Sequence, residues 1–289
     1  MIKTWEEFIV FEKELKRFVE SVEANPKIKK ALEYVIYAGG KRIRPIIVLL
    51  AGKLCGGNYE KLMNLAIAIE LIHTASLVHD DIIDKATLRR NRPTLHAEFG
   101  LPLALILGDW LIMKSTELIA KYGKEIVEEV MNVGMAMCSG EIMDYYSVKE
   151  EFDEEDYLKC IKGKTADLFA LSAKLPGKIV SNDEKAVQKL YDYGYNLGIA
   201  YQLVDDLLEY MNALKDKKSD FESHTLPRIY EEKFGLENAV KKVLLMIKTF
   251  YEKCVSSLDY FKDCEEKRKL LRIAEYMTIN MLKQNSLNL

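Results

Sequence analysis

Residues 62–84 read LMNLAIAIELIHTASLVHDDIID. Apolar residues recur through this run at helical spacing, so it predicts a long helix from Leu62 to Ile83. The run ends on an acidic cluster, Asp80-Asp81-Ile82-Ile83-Asp84. Residues four apart share a helix face, so Asp80 and Asp84 point the same way. Carboxylates are costly among apolar side chains unless something positive joins them. A second cluster of the same kind, Asp205-Asp206-Leu207-Leu208-Glu209, sits in another apolar stretch, with Asp205 and Glu209 on one face. Two such pairs suggest oxygen-ligand sites for a hard cation such as Mg²⁺, which keeps several waters and binds substrate phosphate.

Helical spacing continues on both sides of this stretch. Trp5, Phe8, Ile9, Phe11 and Leu15 mark a first helix, and Ile43 to Leu54 a second, with Pro45 near its first turn. Further helices are predicted over about 104–122, 126–146, 156–174 and 184–210, with several more from Glu237 onward. Period-two strand signals are nearly absent. The six prolines, Pro26, Pro45, Pro93, Pro102, Pro176 and Pro227, all fall where helices should start or break. No linker or repeat divides the chain. The expectation is one all-α domain over 1–289, a bundle of ten or more helices.

Composition sets the function classes. The chain has 289 residues, 49% of them hydrophobic, which is ample for a large core. A net charge of -3 gives no basic field for nucleic acid. The five cysteines are odd in number, widely spaced and free of Cys-x-x-Cys, which argues against a disulfide framework or zinc site and fits a reducing compartment. The stretch from Leu101 to Met113 is strongly apolar but too short to span a bilayer, and Asp109 interrupts it. A cytoplasmic protein without an integral membrane segment is expected.

Cationic residues flank the acids. His73 lies two helical turns before Asp80, and Leu88-Arg89-Arg90-Asn91-Arg92-Pro93-Thr94 follows the first cluster. Upstream stands Gly39-Gly40-Lys41-Arg42-Ile43-Arg44-Pro45. Two glycines leading into Lys and Arg at a helix start suit an anion, because the backbone bends closely and Arg forks match phosphate. Lys164-Thr165 and Gln202 precede the second cluster, and Lys215, Lys217 and Lys218 follow it. Carboxylates for Mg²⁺, cations for phosphate and an apolar interior together suggest a diphosphate substrate with an apolar tail.

In these blocks, together with Gly108-Asp109 and Gly140-Glu141, the sequence resembles the trans-isoprenyl diphosphate synthases, or polyprenyl synthetases, over nearly its whole length. The resemblance implies an isoprenoid synthase-type helical bundle around a central cavity, with both acidic motifs facing each other at its mouth. It implies Mg²⁺-dependent condensation of isopentenyl diphosphate with an allylic diphosphate, in a homodimer, with three metal ions per site. Carried over by position, Lys41, Arg44, His73 and Arg90 would hold isopentenyl diphosphate. Arg89, Lys164 and Lys215 would hold the allylic diphosphate. Asp80 and Asp84 would bind two metal ions and Asp205 a third. Gln202 would lie near the reacting carbons and Thr165 beside the cation, with released diphosphate taking the proton.

The chain departs from the family at Glu209, which replaces an aspartate, and in the loop after it. There Lys215 keeps its five-residue spacing to Asp220, but the later Gly-Lys is missing, with His224 or Lys217 as substitutes. One turn below Asp80, Ala75 and Ser76 should face the growing tail, with Ile72 a turn further down; each turn drops about 5.4 Å. Both upper positions are small, which predicts a product of C20 or longer. Other readings are a non-catalytic subunit of a heteromeric synthase, a terpene cyclase of similar fold, and a di-iron bundle, the last disfavoured because suitable Glu-x-x-His pairs are missing. His79 and His96 are read as structural, Tyr201 as reaching the cavity, and Met131, Met135 and Met137 as a packing stripe.

Overall fold

The computed structural model describes residues 2–215, 223–287 and 289. The chain forms two compact units, Met1–Leu49 with Asn58–Val127 and Leu50–Gly57 with Glu128–Leu289. Two helices, Ile43–Leu54 and Lys124–Tyr146, pass from one unit into the other.

In the first unit, α1 (Glu6–Ser21) buries Phe11, Leu15 and Val19, a four-residue period, although Ile9 is exposed. Asn25 caps α2 (Pro26–Tyr37), accepting from the Lys27 N–H, and Pro26 takes the first helical position. α3 is Ile43–Leu54. α4 (Tyr59–Ile83) is capped by Asn58 and buries residues on every side, from Leu62 and Leu65 to Thr74 and Val78. Helices apolar all round are central ones. α4 has the length and composition to cross a bilayer, but 67% of its most apolar stretch is buried. β1 (Leu88–Arg89) and β2 (Arg92–Pro93) form a two-residue antiparallel ribbon, a feature the helical pattern did not predict. α5 (Leu95–Phe99) and α6 (Leu101–Ile119) follow, and α6 is the main packing partner of α4.

α7 (Lys124–Tyr146) leads into the second unit. Asp153 caps α8 (Glu154–Ile161), accepting from Glu155 and Asp156 N–H, so the acidic run at 150–156 is a loop and helix start as expected. A π-turn (Lys162–Ala166) joins α8 to α9 (Asp167–Val180). α10 (Glu184–Lys215) packs on α9 and on α12 (Leu236–Ser257). Between them lies α11 (Leu226–Phe234), and α13 (Glu265–Met277) and α14 (Ile279–Gln284) close the unit. Leu203, Val204, Leu207, Leu226, Val243 and Ile247 form its buried centre.

Two readings of the sequence need correction. Pro176 lies inside α9 and not at a break. An interior proline costs about 3 kcal/mol, and the packing of α9 along α10 offsets it, with Gly177 seated against Leu190. The methionine stripe of α7 is only partly packed within the chain: Met137 is half-buried, but Met131 and Met135 are 37% and 62% exposed. An apolar period shows that a face is to be covered, not what covers it.

Candidate active site

α4 ends on the first acidic cluster, and the Asp84 N–H donates to the Asp80 carbonyl at 2.9 Å. Asp84 is exposed and Asp80 half-buried, whereas Asp81, a third of a turn away, is buried. Arg89 Nε donates to Asp81 Oδ1 at 2.6 Å. Burial raises the Asp81 pKa more than Arg89 lowers it. The middle aspartate therefore anchors the ribbon behind the helix, and the outer pair carries the open face.

Arg90 and Asn91 form the ribbon's turn with φ of 54° and 61°, the left-handed region that tight hairpins require and side chains disfavour. The turn carries Arg90 to the glycines before α3. Its guanidinium donates to the Gly39 carbonyl and overlies Gly40, where a Cβ would stand 3.1 Å from Nη1. Arg42, next in line, is buried and structural. It meets Glu70 Oε1, Glu12 Oε1 and the Ile36 carbonyl, each at 2.7 Å. Lys41 is exposed. Arg44 Nη1 lies 3.3 Å from His73 Nε2. Burial first, then Arg44, Arg90, Arg89 and Arg42, hold the His73 pKa well below its ordinary value. A neutral imidazole amid guanidinium groups suits an anion. Among the residues assigned to isopentenyl diphosphate, Arg44, His73 and Arg90 thus come together around this charge.

The residues expected to face the growing tail share α4 with His73. Ala75 is buried, Ile72 and Ser76 are partly buried, and the Ser76 hydroxyl donates to the His73 carbonyl at 3.0 Å. His79 packs so closely on α6 that a Cβ at Gly108 would stand 2.1 Å from its Nε2, and Asp109 Oδ1 lies 3.8 Å from that atom. This is the structural role expected of it. His96 Nδ1 lies 3.3 Å from Thr94 Oγ1, also a local contact.

The second unit repeats the division of labour. Asp205 and Glu209 lie on the open side of α10, both exposed, and Asp206 beside Asp205 is buried. Tyr157 donates to Asp206 Oδ2 at 2.5 Å, and Gln202 Nε2 donates to Asp206 Oδ1 at 2.8 Å. Thr165 Oγ1 donates to Gln202 Oε1 at 2.7 Å. Burial lifts the Asp206 pKa to about 7 despite these bonds.

Glycines bring the helices this close. On α10, Gly194, Gly198, Gln202 and Asp206 form one row at four-residue spacing. A Cβ at Gly194 would stand 2.4 Å from the Phe169 carbonyl oxygen, and one at Gly198 2.5 Å from Ala166 Cα. Tyr201 beside this row lies 5.9 Å from the Phe169 ring, centroid to centroid.

The π-turn crosses α7 in the same manner. A Cβ at Gly140 would stand 2.4 Å from the Lys164 backbone N, and one at Gly163 2.4 Å from the Ala136 carbonyl oxygen. Lys164 Nζ then reaches Asp144 at 2.5 Å and Glu141 at 2.9 Å. Burial lowers its pKa, but the two carboxylates outweigh that and raise it, so it stays charged. Single-turn π-bulges of this kind recur at functional sites. Asp144 and Tyr157 escaped the sequence reading. The row of small and polar residues at 194, 198, 202 and 206 was a signal for a buried partner of Asp206, the place Tyr157 takes; no such row marks Asp144.

Lys215 is the exposed last residue of α10. Lys217, Lys218, Asp220 and the rest of 216–222 lie outside the described residues. His224 is half-buried; its N–H donates to Ser147 Oγ at 2.8 Å and its Nε2 lies 3.4 Å from Glu232 Oε1.

The profile of the polyprenyl synthetase family matches residues 25–249. The chain belongs to this family. It is therefore a prenyltransferase that makes prenyl diphosphates. It is 40% identical over 282 residues to a geranylfarnesyl diphosphate synthase of Methanosarcina mazei, covering 98% of this chain and 95% of that one. A solved geranyltranstransferase of Methanosarcina mazei superposes with a TM-score of 0.85 at 38% identity, covering 98% of this chain and 100% of that one. A solved polyprenyl synthase of Caulobacter crescentus, complexed with calcium and isoprenyl diphosphate, gives 0.83 at 26% identity, covering 93% and 94%. The fold is the helical bundle of these synthases.

The donor chemistry of both clusters fits a hard divalent cation. Asp80 with Asp84, and Asp205 with Glu209, offer carboxylate oxygens on partly open faces where waters and phosphate oxygens complete the shell. Among the described residues no group of three or more His, Cys, Asp and Glu gathers tightly enough to hold a metal unaided. Mg²⁺ bound through one or two carboxylates and a substrate phosphate needs no such cage.

Proposed function

We propose that this polyprenyl synthetase condenses isopentenyl diphosphate with an allylic diphosphate, all-trans, and repeats the addition to C20 or longer. The arginines around neutral His73 on the helix that carries Asp80 and Asp84 support this reading most. A cyclase acting on one preformed diphosphate has little use for a second anion cradle.

In this reading Lys41, Arg44, His73 and Arg90 hold isopentenyl diphosphate, and Arg89, Lys164 and Lys215 hold the allylic diphosphate. Asp80, Asp84 and Asp205 would hold Mg²⁺, three ions per site, which when bound offset the charge of the leaving diphosphate. The allylic C–O bond breaks, and its electron pair leaves with the diphosphate. The double bond of isopentenyl diphosphate adds to the allylic cation, forming the new C–C bond. A proton leaves the new chain for the released diphosphate. Gln202 lies near the reacting carbons and Thr165 beside the cation, and the apolar residues of α4 exclude water from it. Small side chains at Ala75 and Ser76, with Ile72 below, let the tail pass beyond C15. The geranylfarnesyl name of the Methanosarcina relative supports a product of that order.

One domain over 1–289 and a homodimer complete the reading. Exposed Leu105, Ile106 and Met113 on α6, and Met131, Met135 and Ile142 on α7, support a covered surface. Five unpaired thiols suit the cytoplasm. The test is incubation of the purified chain with radiolabelled isopentenyl diphosphate, Mg²⁺ and C5, C10 or C15 primers. Polyprenyl diphosphates of C20 or more from the single chain support the proposal. No incorporation without a partner protein favours a heteromeric subunit, and cyclic hydrocarbon favours a cyclase.

A further inference from the structure

We propose that Tyr157 is a positioning residue: through Asp206 and Gln202 its hydroxyl sets the direction in which the Thr165 hydroxyl points. The inference rests on the proposed place of Thr165 beside the allylic cation.

Three hydrogen bonds run in series, each with one donor. Tyr157 OH donates to Asp206 Oδ2 at 2.5 Å, and Gln202 Nε2 donates to Asp206 Oδ1 at 2.8 Å. Thr165 Oγ1 donates to Gln202 Oε1 at 2.7 Å. Gln202 turns its NH₂ toward Asp206, and its carbonyl toward Thr165. Thr165 has one proton, and that proton is committed to the carbonyl. Its lone pairs then point away from Gln202. Lone pairs stabilise a neighbouring cation, whereas an outward O–H would present its positive end.

Tyr157 holds the far end of this series. Its ring is 2% exposed on α8, and Asp206 and Gln202 lie on α10, so the bond joins two elements. Burial, then the charge of Asp206, hold the phenol pKa well above its ordinary value, so the hydroxyl remains a donor. With one carboxylate oxygen pinned by Tyr157, the other faces Gln202 at a fixed angle. Without it the carboxylate is free to turn and the amide loses its fixed sense.

The test compares Tyr157→Phe, Asp206→Asn and the double variant at one mildly alkaline pH. Tyr157→Phe keeps the ring, so kcat should fall about tenfold while KM for both substrates stays within about twofold. In Asp206→Asn, Tyr157 donates to the new carbonyl, so the NH₂ faces Gln202, flips it and turns the Thr165 proton outward. Loss of about a hundredfold in kcat is expected there. Adding Tyr157→Phe frees the introduced amide to rotate its oxygen toward Gln202, so the double variant should recover about fivefold over Asp206→Asn alone. A role in packing alone predicts no recovery. Tyr157→Phe with unchanged kcat, or a double variant no better than Asp206→Asn, overturns the proposal. Neutron diffraction on the deuterated wild-type protein decides it independently of turnover. The Thr165 deuteron should point at Gln202 Oε1, and a deuteron pointing away contradicts the inference even if the chain proves an active synthase. If the chain shows no prenyl transfer, the proposed function fails while the neutron map still reads the polarity.

Discussion

Each acidic cluster divides its residues by angle. The inner aspartates, Asp81 and Asp206, are buried on Arg89 and on Tyr157 with Gln202, and the outer residues keep partly or fully open faces. Replacing Asp80 or Asp205 by Ala should cut kcat roughly a hundredfold or more with little effect on Tm, as removal of a metal ligand does. Near-normal rates in either variant would remove that residue from the metal set. Arg42 differs from its neighbours Lys41 and Arg44, because its guanidinium is buried against Glu70 and Glu12. Arg42→Ala should therefore destabilise the fold by about 3–5 kcal/mol in denaturant unfolding, since it leaves a buried carboxylate unpaired. His73 has a folded pKa well below its unfolded value of about 6.5. Below that pH the unfolded chain takes up a proton that the folded chain refuses, so stability falls as pH falls. In His73→Gln this loss between pH 7 and 5 should shrink by up to about 1.4 kcal/mol per pH unit. An unchanged slope would show that His73 is not held neutral. The common side of His73, Asp80 and Asp84 was legible in the sequence because their spacing along one helix fixes it, whereas Arg44 on α3 was named only from the glycine-flanked basic block and the resemblance. Asp144 and Tyr157 were not legible, because their partners lie 20 and 49 residues away.

At the scale of elements, the sequence carried the long helices well. Ile43–Leu54 matched its predicted span, and α4 ended at Ile83 as expected. The stretch expected as one helix over 156–174 is two helices joined by a π-turn. One inserted residue leaves the apolar period nearly intact, so periodicity does not reveal it. Gly140 and Gly163, which allow the π-turn to cross α7 closely, gave no periodic signal either. Gly140→Ala places a methyl against the Lys164 backbone and should cost about 1–3 kcal/mol, with α7 or the π-turn displaced. Wild-type unfolding free energy in this variant would show that the crossing is loose. On α4, Ser76 is half-buried, so Ser76→Phe can be accommodated, while Ala75→Phe adds bulk at a closed position. Both should shorten the product by at least one prenyl unit while first-step turnover persists. Unchanged chain length in both, with Tm retained, would show that this face of α4 does not meet the tail.

For the molecule as a whole, the claim is that one chain type, assembled with a copy of itself, elongates prenyl diphosphates with Mg²⁺. Exposed apolar side chains on α7 bear on the assembly: Met135→Glu together with Ile142→Glu should shift a dimer toward monomer in sedimentation velocity, and an unaltered mass would place the interface elsewhere. The most direct measurement is the product of the purified single chain given isopentenyl diphosphate and farnesyl diphosphate with Mg²⁺. Polyprenyl diphosphates of C20 or longer, abolished by a chelator and restored by Mg²⁺, are predicted. No elongation of farnesyl diphosphate, with C15 as the sole product from shorter primers, would contradict the account.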